Sequence, residues 1–88
     1  MITLEDCIGL CGLSQDQIAA IAEHEHLPEA AAAALAAWLM NKPPAGPREI
    51  RDMIRDDVRA AMSAGNHAHA AELLAALRHF LTEHRGEI

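Results

Sequence analysis

Apolar residues recur every three to four positions over most of the chain, which is the spacing of amphipathic α-helices. This spacing predicts helices over residues 3–11, 14–26, 28–41, 47–64 and 67–85. Ser14 and Gln17 have the spacing of a capping box, Gly65 is a stop signal, and Asn66 is suited to cap the last helix. The sequence therefore predicts an all-α fold, a compact bundle of four to five short helices.

One predicted helix, within residues 27–41, differs from the others because it has almost no polar face. After Pro28 and Glu29 it consists of alanines, leucines, Trp38 and Met40. A helix that is apolar all round must be buried all round, and few short helices are available to surround it. We therefore expect a homo-oligomer, most simply a homodimer packed around this helix; the alternative is a central helix in a monomer.

The length of 88 residues corresponds to one small domain with a marginal core, so residues 1–88 are expected to form a single helical domain. Trp38 and Phe80 are the only aromatic residues, so the core must be built mainly from Ala, Leu, Ile and Met. Cys7 and Cys11 share the apolar face of the first predicted helix, where core packing is the expected role and redox or metal chemistry is the alternative.

The net charge of −6 is unevenly distributed along the chain. Residues 1–41 contain six acidic side chains and no Lys or Arg, whereas residues 42–88 contain seven of each sign. Because an acidic surface repels phosphate backbones and anionic lipids, we expect neither a nucleic-acid nor a membrane partner. The apolar run over residues 30–40 is shorter than the roughly 18–20 residues of a membrane span, and no signal peptide is evident. These features predict a cytoplasmic protein.

Histidine and glutamate are the main candidates for chemistry, since six histidines occur in 88 residues. Helical spacing predicts that Glu25 and His26 point inward, whereas Glu23 and His24 lie at a solvated helix end. Imidazole and carboxylate together suit Fe or Zn, and a dimer would double the number of ligands. The alternative is that these side chains only border solvated helix faces. The predicted metal ligands, four of which share a stripe on the last helix, are Glu23, Glu25, His26, His69, Glu72, His79 and Glu83.

Three short stretches resemble known families. Glu23-x-x-His26 resembles the local ligand pattern of ferritin-like di-iron proteins, and His79-x-x-x-Glu83 resembles a hemerythrin ligand stretch. Both resemblances imply a metal-binding helical bundle. Residues 4–23 resemble a helix-turn-helix, which implies DNA binding, but the segment that would be the recognition helix has no Lys or Arg to reach bases or phosphates.

No Gly-rich phosphate loop and no nucleophile motif occurs in the sequence, which favours a role without catalysis. We therefore expect a small adaptor-like or regulatory protein that acts through protein–protein contacts, as a homodimer with an unidentified protein partner. The first alternative is a Glu/His metal-binding bundle, either ferritin-like or hemerythrin-like. The second alternative is a helix-turn-helix regulator.

Overall fold

The computed structural model describes residues 13–86, which form four α-helices joined by short turns. The helices are α1 (Gln15–Glu25), α2 (Glu29–Met40), α3 (Ala45–Ser63) and α4 (His67–Glu83). The predicted all-α helical bundle is thereby confirmed. The predicted helix over residues 3–11, with Cys7 and Cys11, lies outside the described residues.

Local sequence signals determine where α1 and α4 begin. The Ser14 hydroxyl accepts a hydrogen bond from the Gln17 backbone N–H, and the Gln17 side-chain oxygen accepts one from the Ser14 N–H. The predicted capping box is therefore present. At the start of α4, the Asn66 side chain accepts a hydrogen bond from the His69 N–H, so the predicted cap is confirmed as well.

The ends of α3 show one agreement with the sequence and one difference from it. Gly65 adopts a left-handed backbone with φ of 77° directly after α3, as expected of a stop signal. The helix begins at Ala45, however, two residues before the predicted start at Pro47. Proline is tolerated there because the first turn of a helix leaves its N–H groups without intrahelical partners.

The core lies where the four helices meet. The α3 and α4 helices share the most extensive interface, and α1 contacts each of the other three helices. Buried alanines lie beside larger side chains, which lets the helix axes approach closely. The largest fully buried apolar side chains include Phe80, Ile18, Ile21, Ile50 and Ile54.

The apolar helix α2 lies at the edge of the described bundle and packs mainly on α1 and α3. One of its faces is buried, and the opposite face is exposed. Within residues 13–86, α2 is therefore not a central helix surrounded by its own chain. The buried residues of α2 are Ala32, Ala33, Ala36 and Leu39.

None of the described helices is both long and apolar enough to cross a membrane.

Candidate functional site

Three of the predicted site residues, Glu23, His69 and Glu72, lie together between α1 and α4. The His69 Nε2 atom lies 2.8 Å from both carboxylate oxygens of Glu23. On the other side of the ring, Nδ1 lies 3.5 Å from an oxygen of Glu72. The hydrogen bond to Glu23, followed by the charges and contacts of both carboxylates, raises the pKa of His69 above its usual value, although desolvation opposes the rise. The site therefore favours an imidazolium between two carboxylates.

The arrangement of these groups does not form a single set of metal ligands. Glu23 and Glu72 contact opposite nitrogens of the imidazole, so the three side chains do not converge on one point. In the part of the chain that the structure describes, no group of three His, Cys, Asp or Glu side chains is placed to hold a metal ion. Metal binding thus stays a prediction, and it would require these side chains to rearrange.

The predicted stripe on α4 forms two separate pairs. His79 Nε2 lies 3.5 Å from Glu83 Oε1, ten residues along the helix from the His69 site. Ten residues correspond to about 15 Å of helix, too far for one ion to join both pairs. The Glu83 carboxylate also accepts a hydrogen bond from Gln17 Nε2 at 3.3 Å, which connects it to α1.

The inward orientation predicted for Glu25 and His26 is wrong, because both residues are exposed. Glu25 is the last residue of α1, and His26 follows as a cap with a left-handed backbone, φ 56°. An inward orientation would require the helix and its covered face to continue past Glu25, but both end there. Glu23 is exposed, as predicted, although it also pairs with His69 of α4. His24, also predicted to be solvated, is half-buried and lies 3.9 Å from Asp56 of α3.

Asp57 of α3 is a half-buried carboxyl that the sequence analysis did not identify. Its Oδ2 and the His24 Nδ1 are buried without a hydrogen-bond partner. Desolvation raises the pKa of Asp57 to about 6, although the charge of His24 acts in the opposite direction. The sequence contained a signal: Asp57 lies seven residues after Ile50 and three after Ile54, on the buried stripe of α3.

A pocket of about 320 Å³ opens between α1 and α4 beside His69. A concave site with an apolar lining and a few converging polar groups is the usual form of a ligand pocket. The apolar part of the lining consists of Ala19, Ala20, Leu73, Ala75 and Ala76. The titratable part consists of Asp16, Glu23, His69 and Glu72.

A second candidate site is the exposed side of α2, here called the α2 face and formed by Ala30, Ala31, Ala34 and Trp38. Their spacing places all four on one side of the helix. Trp38 is 55% exposed, and the Lys42 ammonium lies 3.8 Å from the centre of its ring. None of the four is charged, so the α2 face is apolar except at its Trp38 end, where the Lys42 ammonium lies over the ring.

Comparisons with known proteins add no relative: no family model, no curated protein and no solved structure matches the chain. The pocket and the α2 face are therefore the features of the chain that bear on its function.

Proposed function

We propose that the protein is a small non-catalytic helical module that acts through protein–protein contacts and self-associates as a homodimer through the α2 face. The observation that supports this proposal is the exposure of Trp38 on a helix side with no charged residue. Aromatic side chains contribute strongly to the energy of protein interfaces, because they bury a large apolar surface at little cost in side-chain entropy.

The α2 face suits a second copy of itself because its two ends differ in size. Trp38 is large, whereas Ala30, about 12 Å away along the helix, is small. In an antiparallel pair related by a twofold axis at Ala34, the Trp38 ring of each protomer would lie over the partner's Ala30. Such an interface is self-complementary, as a twofold dimer requires. The alanines would allow the two helix axes to approach closely.

Electrostatics give this dimer a recognisable salt dependence. Each chain carries a formal net charge of −6, so two copies repel each other. Because the α2 face itself holds no ion pairs, added salt would screen the repulsion without weakening the contact. We expect dimerisation to strengthen with ionic strength, whereas an interface built on ion pairs would weaken. The acidic remainder of the surface would stay available to the unidentified protein partner.

Sedimentation equilibrium of the full chain tests the proposal. The parent protein should sediment as a dimer, and Ala34→Glu should sediment as a monomer, because it brings two carboxylates together in an apolar interface. Ala60→Glu is the matched control, since it makes the same change at an exposed alanine of α3. A monomeric parent, or an Ala34→Glu variant that remains dimeric, would contradict the proposal.

A metal-binding helical bundle, holding Fe or Zn, is the second candidate, and one observation favours it: His69 lies beside both Glu23 and Glu72. Glu23 and Glu72 lie at opposite nitrogens of the ring, so one of them would have to rotate for both carboxylates and one ring nitrogen to reach the same metal ion. Elemental analysis of protein purified without chelator is the test. Near-stoichiometric metal that is lost in His69→Ala would support this candidate, and metal-free parent protein would reject it.

The cytoplasmic location and the lack of a nucleic-acid partner remain predictions. The α1 helix, which would read DNA in a helix-turn-helix protein, contains no Lys or Arg and exposes Asp16, Glu23 and Glu25. Such a surface would repel phosphates. Salt-dependent retention of the chain on DNA would contradict this expectation.

A further inference from the structure

We propose that the pocket between α1 and α4 binds a linear aliphatic polyamine, a flexible hydrocarbon chain that carries several ammonium groups. The inference is independent of the proposed dimer, because no residue of the α2 face lines the pocket. Three properties of the pocket support it: its charge, its apolar lining and the separation of its carboxylates along α1.

The negative charge of the pocket favours a positively charged ligand. Three carboxylates line it, those of Asp16, Glu23 and Glu72, and none of the nine lining residues is Lys or Arg. His69 is therefore the only lining side chain that can supply positive charge. With His69 protonated, three negative charges and one positive charge leave a net charge of −2, and with His69 neutral the net charge is −3. A site with this excess attracts positively charged ligands.

The separation of the carboxylates along the pocket favours an elongated cation over a compact one. Asp16 and Glu23 lie on the same side of α1, seven residues or about 10 Å apart. Ala19 and Ala20 lie between them and form part of the apolar lining. Methylene groups of an extended chain can contact these alanines, while ammonium groups reach the carboxylates at either end. A hydrated metal cation would use neither the alanines nor the separation of the carboxylates.

Isothermal titration calorimetry of the full chain with spermidine, at low and constant ionic strength, tests the proposal. We expect saturable binding of one spermidine per chain. Putrescine should bind several-fold more weakly, because it carries two ammonium groups instead of three and so makes fewer charge-assisted contacts with the three carboxylates. Mg²⁺ at matched ionic strength should not displace spermidine. No saturable binding, or equal displacement by Mg²⁺, would show that the acidic residues only attract counterions.

Four variants separate a built pocket from general attraction by an acidic protein. Asp16→Asn and Glu72→Gln should each weaken spermidine binding about fivefold, through the loss of one charge-assisted contact. Ala75→Leu retains every charge but fills the pocket, so it should also weaken binding. Glu49→Gln removes an exposed carboxylate from α3, outside the pocket, and should leave binding unchanged. Equal weakening by Glu49→Gln, or unchanged binding by Ala75→Leu, would overturn the proposal.

Discussion

His69 on α4 and Glu23 on α1 form a close pair, with the imidazole Nε2 2.8 Å from both carboxylate oxygens, although 46 residues separate them in sequence. At the other end of the same interface, Gln17 Nε2 donates a hydrogen bond to Glu83. The two contacts show that α1 and α4 run antiparallel and are joined by polar groups near both ends. The pocket lies along this interface, and Glu23 and His69 are among the residues that line it.

The stability of the protein should depend on pH through His69. The hydrogen bond to Glu23 raises the pKa of His69 above 6.5 in the folded chain. The contribution of the His69–Glu23 pair to the free energy of unfolding is therefore fully present below pH 6.5. This contribution is lost as the pH rises through the folded-state pKa of His69. Urea unfolding should show that His69→Gln destabilises the protein more at about pH 5.5 than at about pH 9.

The control for this effect is His67→Gln, which changes an exposed histidine two residues earlier in the same helix. It should produce no comparable difference between the two pH values. If His69→Gln costs the same free energy at both pH values, the imidazolium–carboxylate pair does not contribute as described.

Asp57 should act in the opposite way, as a residue whose ionisation weakens the fold. Its pKa is raised from 3.8 to about 6, mainly by desolvation, among the charged neighbours Glu23, His24, Asp56 and His69. Between pH 3.8 and about pH 6, the folded chain therefore keeps the Asp57 proton more than the unfolded chain does. The free energy of unfolding falls as the pH rises through that range. Asp57→Asn, which cannot ionise, should stabilise the protein at neutral pH by roughly 1 kcal/mol, since partial contact with water reduces the full value of the shift.

Chemical denaturation at two pH values checks this prediction. The stabilisation by Asp57→Asn should be present at about pH 7 and almost absent at about pH 3, where the folded chain and most of the unfolded chain hold the Asp57 proton. A variant less stable than the parent at neutral pH would mean that the charged carboxylate has a favourable partner.

The parts of the fold that depend on local chemistry could be predicted from the sequence. Ser14, Gln17 and Asn66 act within three residues of their partners, so a short window of sequence contains the whole interaction. The left-handed turn at Gly65 is local in the same sense. The exposure of one side of α2 was not predictable in this way, because it depends on which helices pack beside it.

The candidate site was predicted only in part because it depends on contacts between distant segments. Helical spacing ranked Glu25 above Glu23, but spacing alone does not show where a helix stops being covered by its neighbours. The chain turns at His26, and no helix within residues 13–86 covers Glu25. The position of Glu23 depends instead on His69, far along the chain, and on the packing of α4 against α1.

Gln17 should be more important for stability than a polar side chain usually is. It is the buried polar residue of the described core, and it joins the cap at Ser14 to Glu83 of α4. Gln17→Ala would remove both contacts, leave a cavity and deprive the Ser14 N–H of its acceptor, so it should destabilise the protein by about 2–3 kcal/mol. Thermal and urea unfolding measure the effect. Gln15→Ala, at an exposed position of the same helix, should change stability by less than about 0.5 kcal/mol; similar losses for both would contradict the role of Gln17.

Gly46 is a buried position where only glycine fits, because the first turn of α3 packs directly on the end of α2. A Cβ atom built on Gly46 would overlap the backbone carbonyl of Leu39. A backbone atom cannot move aside as a flexible side chain can, so Gly46→Ala must separate the two helices and should destabilise the protein by about 2–4 kcal/mol. Gly86→Ala is the matched control, because no atom lies within 4 Å of the added Cβ. Urea unfolding of both variants should show a large loss for Gly46→Ala and almost none for Gly86→Ala; equal midpoints would mean that α2 and α3 do not meet as closely as the structure indicates.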